Sequence, residues 1–137
     1  MNDNVFLDTN IFIYAYSNDS DKKNRSIELF GYSSCITSTQ ALSELSNVCF
    51  KKLMFSDKDV SNIIKDVISF CDIFIVNDAT IQQAVLIKGR YGYTYYDSLI
   101  LASALESNCS ILYSEDLQHG QIIENSLKIV NPYPKIV

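Results

Sequence analysis

Four carboxylates in this 137-residue sequence fall where chemistry is done in α/β proteins. Asp8 follows a short apolar run, residues 5–7, at the expected end of a first strand, and ligands of open α/β sheets bind in the crevice beyond the carboxyl ends of the strands. Thr9 and Asn10 come next, so a carboxylate, a hydroxyl and an amide follow in succession, hard oxygen groups of the kind Mg²⁺ prefers. The alternative for Asp8 is a plain helix cap. Asp97 has Ile100, Leu101 and Ala104 three, four and seven positions further on, which puts its carboxylate on the core side of a helix unless it serves the helix dipole in the first turn. An unpaired charge there would cost roughly several kcal/mol. Glu44 adjoins Leu45 at the edge of an apolar stripe, with no cation in residues 42–48; a solvated helical glutamate is the other reading. Asp116 follows a strand that ends at Tyr113, in the run Ser114, Glu115, Asp116, where Glu115 competes with it and a surface turn would also fit.

At strand ends or facing the core of a parallel α/β sheet, these four carboxylates suggest a cluster that would repel itself without a divalent cation. The net charge of −5, from 11 basic and 16 acidic residues, argues against broad attraction to nucleic acid. Without the four the balance is 11 against 12, so the acidity is largely that of the prospective metal site. Phosphate contacts are then available from Lys22, Lys23, Arg25, Lys51, Lys52, Lys88 or Arg90. Tyr91, Tyr93, Tyr95 and Tyr96 offer faces for stacking on RNA bases, although packing or a partner groove is the favoured use of them.

The elements that must hold these groups alternate between short β-rich runs and longer segments of helical period, which predicts an α/β domain with a parallel sheet. Strands are expected over residues 5–7, 35–37, 73–76, 110–113 and 127–130. Between them, helices are expected over 11–16 (capped by Asp8 or Asn10), 22–30 (stopped by Gly31), and 40–53 (started by Ser38 or Thr39). Further helices follow Ser56, whose spacing to Asp59 resembles a capping box, to about Phe70; Asp78, to about Lys88; and then over 96–106. Residues 18–21 read as a loop, residues 89–92 as a helix break, and Pro132 and Pro134 as the end of regular structure.

Composition sets further limits. With 47% hydrophobic residues the chain is expected to form one soluble domain over residues 1–137, without a metal or disulfide staple. The longest hydrophobic run, residues 11–16, is far below the roughly 20 residues of a spanning helix. The first cation is Lys22, so no secretory signal is expected, and the compartment is expected to be the cytoplasm. Cys35, Cys49, Cys71 and Cys109 form no Cys-x-x-Cys pair and read as buried thiols, which excludes structural zinc and a disulfide framework. There is no Gly-x-Ser-x-Gly elbow, His119 is the single histidine and is expected at the surface, and the four glycines form no phosphate loop. Phe12, Tyr14, Tyr16, Phe50, Leu53 and Phe55 exceed the needs of a small core and mark an expected interface.

In combination the motifs resemble those of the PIN-domain ribonucleases and, within them, the VapC-type toxins of toxin–antitoxin pairs. Phe6, Leu7, Asp8, Thr9 and Asn10 are similar to the opening motif; Ser43, Glu44 and Leu45 to the helical glutamate; Tyr96, Asp97, Ser98, Leu99 and Ile100 to the third acidic motif; and the run from Ser114 to Gly120 to the fourth. Some members carry another acidic residue two positions after the fourth, where this chain has Gln118. The resemblance implies a three-layer α/β/α domain around a parallel sheet and an endoribonuclease dependent on Mg²⁺ or Mn²⁺. Asp8, Glu44, Asp97 and Asp116 would hold the metal, Asn10 and Ser114 would orient ligands or water, and Thr9 would support them. It also implies an RNA substrate and a small antitoxin that blocks the site; with the apolar surface, it leads to an expected homodimer. The competing expectation is a catalytically idle PIN-like module that binds protein or RNA.

Overall fold

Side-chain alternation along the first strand builds a core on both sides of the sheet. β1 (Asn4–Leu7) sends Phe6 to one face and Val5 and Leu7 to the other, and all three are buried. The structure, a computed structural model, describes residues 4–31 and 34–133. After β1 come α1 (Thr9–Ala15), α2 (Ser20–Phe30), β2 (Ser34–Ser38), α3 (Thr39–Lys51), α4 (Asp57–Phe70) and β3 (Asp72–Phe74). The second half comprises α5 (Asp78–Tyr91), α6 (Tyr95–Glu106), β4 (Ile111–Tyr113), β5 (Ile122–Ile123) and β6 (Leu127–Val130).

The strand order is β3-β2-β1-β4-β6-β5, parallel throughout except for β5, which runs antiparallel to β6. Ala84, Ile87, Leu99 and Leu101 of α5 and α6 cover one face, while Ile11, Phe12, Leu29, Leu45 and Val60 of α1 to α4 cover the other. This is the expected three-layer α/β/α arrangement, and burial on both faces explains why the strands read as continuous apolar runs. The chain moves outward from β1 to β3 on one side and resumes beside β1 with β4, so a crevice opens at the carboxyl ends of β1 and β4.

Several boundaries differ from those expected. α2 begins at Ser20, because the Asp19 side chain accepts from Lys22 N and draws the expected loop into the helix. α3 stops at Lys51, short of Leu53. The Asn77 side chain, not that of Asp78, caps α5, and it is there that a reciprocal capping box forms with Thr80; at Ser56 the expected bond from Asp59 N is present. α5 runs through Gly89 and ends at Gly92, whose φ of 78° is the left-handed conformation that closes a helix. β3 is displaced toward Asp72 from residues 73–76, α6 starts at Tyr95, and β5 is an addition. The turn between β5 and β6 places Glu124 and Asn125 at φ of 50° and 58°, the backbone of a tight hairpin built without glycine. Pro132 does follow the last strand, and Pro134 lies outside the described residues.

All four cysteines are buried thiols, as expected. Phe12 leaves the expected interface: it is fully buried and stacks on Phe30 at a centroid distance of 5.9 Å. Tyr14, Tyr16, Leu53 and Phe55 pack against the same core, and Phe50 remains exposed. Among the described residues no helix is long and apolar enough to cross a membrane.

Candidate active site

Asp8 is the first residue beyond β1 and still belongs to its ladder, since its N–H donates to the carbonyl of Tyr113 on β4. Register then decides its neighbour. Leu7 pairs with Tyr113, so Asp8 and Ser114 come next, and Ser114 Oγ donates to Asp8 Oδ2 at 2.8 Å. Oδ1 accepts from Thr9 N at 2.7 Å at the start of α1, so Asp8 does cap that helix, and Oδ2 is the oxygen turned to Ser114. Only 6% of Asp8 is exposed. Burial raises its pKa to about 6, against the lowering effect of the Ser114 and Thr9 bonds, and the negative charges of Glu44 and Asp116 push the same way as burial.

The other sequence-predicted groups assemble around it. Thr9 Oγ1 donates to Glu44 Oε2 at 2.9 Å, linking α1 to α3, and the other carboxylate oxygen of Glu44 accepts from Gln40 Nε2 at 2.9 Å. Asn10 Nδ2 donates to Asp116 Oδ2 at 3.0 Å, and its Oδ1 accepts from Glu115 N at 3.2 Å, so one amide pins the turn after β4. Ser114 Oγ also accepts from Asp116 N. Asp97 stands half-buried in the first turn of α6, and its pKa is raised by burial, against its Thr94 bond, with Asp116 and Glu44 adding to the rise. Asp97 does not owe its place to a core-facing side of the helix: residues 98–104 are buried all round α6, so it is the end of α6, not one face, that places the carboxylate at the crevice.

Glu115 is turned away from this group. It binds Lys22 Nζ at 2.6 Å and the Tyr14 hydroxyl at 2.6 Å; although burial acts in the opposite direction, these bonds hold its pKa below the usual carboxylate range. The described ion pairs are Lys22 with Glu115, Arg25 with Glu28, and Arg90 with Glu124, so none neutralises Asp8, Glu44, Asp97 or Asp116. These pairings also commit three of the basic residues expected to be free for phosphate; Lys23, Lys51, Lys52 and Lys88 are exposed. His119 is exposed, with its Nδ1 accepting from Asn131 N. Gln118 is also exposed, and its N–H donates to the Tyr93 hydroxyl.

Tyr91, Tyr93 and Tyr95 pack on the core, while Tyr96 is 66% exposed beside Asp97. The residue that sequence reasoning missed is Gln40. Its position one helical turn before Glu44 on α3 was the available signal.

The donor set consists of oxygen atoms and comprises four carboxylates without a described basic partner, the most buried of which, Asp8, has its pKa raised by burial and, less, by Glu44 and Asp116; such a set suits a hard divalent cation. Among the described residues no three acidic, histidine or cysteine side chains converge at coordination distance, so the carboxylates neighbour one another without forming a closed cage. Mg²⁺ is bound through a few carboxylates and retained water, which is compatible with that spacing.

The same architecture occurs in solved structures. A toxin–antitoxin complex from Klebsiella pneumoniae matches with a TM-score of 0.71 at 19% identity, over 94% of this chain and 98% of that one. DNA-bound VapBC from Salmonella typhimurium matches at 0.68 and 19%, over 92% and 96%. The VapC20 toxin of Mycobacterium tuberculosis, which cleaves the sarcin–ricin loop, matches at 0.68 and 14%, over 82% and 89%. At these identities the likeness is one of fold. No curated protein sequence matches the chain. The model of the PIN domain family, by contrast, matches residues 5–125, a span that includes all four carboxylates and the strands and helices that hold them; the chain therefore belongs to the PIN domain family.

Proposed function

We propose that the chain is an endoribonuclease dependent on Mg²⁺ or Mn²⁺ and the toxin of a toxin–antitoxin pair. The observation that carries this reading is Asp8, a carboxylate at the carboxyl end of the central strands, buried without a described basic partner and within the field of two further carboxylates. Asp8, Glu44, Asp97 and Asp116 would hold the cation. When bound, it supplies charge neutralisation and Lewis acidity to a phosphodiester.

The chain's own side chains do the positioning. Ser114 and Thr9 N fix the two oxygens of Asp8, Thr9 Oγ1 and Gln40 fix those of Glu44, and Asn10 fixes Asp116. Asp8 must release its proton to serve as a ligand, which its pKa of about 6 allows at neutral pH. No histidine takes part, since the one imidazole is exposed and its Nδ1 accepts from Asn131 N.

The solved relatives that are toxin–antitoxin complexes support a small antitoxin as partner. Such an inhibitor would place an arginine among the four carboxylates in place of the metal charge. The working unit is one PIN domain over residues 1–137, in the cytoplasm, as a homodimer. Purified protein should cut RNA internally with Mg²⁺ or Mn²⁺ and not in excess EDTA, and co-expression with a neighbouring small open reading frame should give an inactive complex. Cleavage that persists in EDTA would overturn the metal assignment. A wild-type protein that leaves RNA intact with either metal would favour the idle module.

A further inference from the structure

We infer that Gln40 is a positioning residue that sets the separation of Glu44 and Asp97, and that it does so as a neutral double donor. Its Nε2 donates to Glu44 Oε1 at 2.9 Å and to the main-chain carbonyl of Tyr96 at 3.0 Å. Tyr96 immediately precedes Asp97 in the first turn of α6, so one amide ties the glutamate of α3 to the helix end that carries the aspartate.

The orientation of the amide is settled by its surroundings. Turned over, it would set its own oxygen against a carboxylate oxygen and a carbonyl oxygen, three acceptors with no hydrogen among them. In the orientation found, both protons of Nε2 are used, and Oε1 is left buried with no partner among the described residues. A buried acceptor without a donor is a destabilising feature, kept where the rest of the group is needed. Here the need is for two donors at one atom.

The absence of charge on Gln40 matters equally. A lysine at this place would reach the same two oxygens but would neutralise Glu44 and compete with any cation for it. The amide holds the carboxylate in place and leaves its charge intact. Thr9 acts in the same way on the other oxygen, so Glu44 is gripped at both ends by uncharged donors.

This inference rests on the metal-binding reading of the four carboxylates, and its test separates the two. Mn²⁺ affinity is measured by titration calorimetry on wild-type protein, Gln40→Met and Gln40→Ala, with metal-free melting temperatures recorded alongside. Gln40→Met keeps the length and removes both donors; Gln40→Ala suits a half-exposed helical position if the longer side chain disturbs folding. Loss of the donors is expected to weaken Mn²⁺ binding about 10-fold or more, the usual effect of removing a partner that orients a ligand, with little change in the metal-free melting temperature. Wild-type affinity in a folded variant would overturn the role of Gln40, whereas absence of Mn²⁺ binding by the wild type would overturn the metal site itself.

Discussion

Ser114 Oγ donates to Asp8 Oδ2 and accepts from Asp116 N, so a single hydroxyl joins the ends of the two central strands to the acidic turn that follows β4. With that proton committed to Asp8, the carboxylate is held while still charged, even though burial favours its neutral form.

The raised pKa has a consequence for stability. The native state binds the Asp8 proton more tightly than the unfolded chain, with a value of about 6 against 3.8. The resulting stabilisation is fully present below pH 3.8 and is lost as pH rises to 6, by about 3 kcal/mol at most. Without metal, Asp8→Asn should therefore melt higher than wild type at pH 7.5, and the difference should shrink at pH 4. Thermal melts in chelator at both pH values check this; an Asn variant less stable than wild type at pH 7.5 would count against it.

A divalent cation should act in the opposite direction. Mn²⁺ is expected to raise the melting temperature of wild-type protein at pH 7.5 and much less at pH 5, where protons compete for Asp8. Asp97→Asn should keep the fold, lose most of that rise and lower RNA cleavage by at least about 10²-fold. Scanning fluorimetry and a cleavage assay report the two effects, and an unimpaired Asp97→Asn would remove Asp97 from the ligand set.

The two adjacent acidic residues of the turn should separate cleanly. Glu115 binds Lys22 and Tyr14, whereas Asp116 receives Asn10 and adds to the field at Asp8 and Asp97. Glu115→Gln should cost about 1 kcal/mol or less of stability, since the pair is partly solvated, and should keep Mn²⁺ affinity. Asp116→Asn should weaken Mn²⁺ binding by roughly 10-fold or more. The reverse ranking in calorimetry would exchange their roles.

His119→Gln should retain most of the metal-dependent cleavage, because the imidazole is occupied by Asn131 N–H. A general base would contribute about 10²-fold or more, so a loss of that size in the initial rate would place the histidine in the reaction.

The placement of several candidate residues was legible in the sequence because strand ends are. Asp8 and Asp116 follow apolar runs that could only be strands, and Ser114 falls opposite Asp8 once those strands pair in parallel. Long-range choices were not legible. Glu115 and Asp116 are chemically interchangeable until α2 brings Lys22 to one of them, and Gln40 becomes special only when α6 arrives with its carbonyl. The boundaries missed have local causes that periodicity does not register: Asp19 accepts from Lys22 N before any apolar residue appears, and β5 has only two residues. Phe12 looked like surplus surface because its stacking partner Phe30 lies 18 positions away, on another helix.

The sheet ends on one side in the three residues of β3 and on the other in the two of β5, the latter reversed in direction. Long parallel strands with open backbone groups invite further strands from other molecules. Here both margins are too short to template such growth, so crowding of newly made chains should not zip them into fibrils through their sheets. Any contact between copies would then fall to the helices, where Ile81, Val85 and Leu86 on α5 are among the exposed apolar side chains.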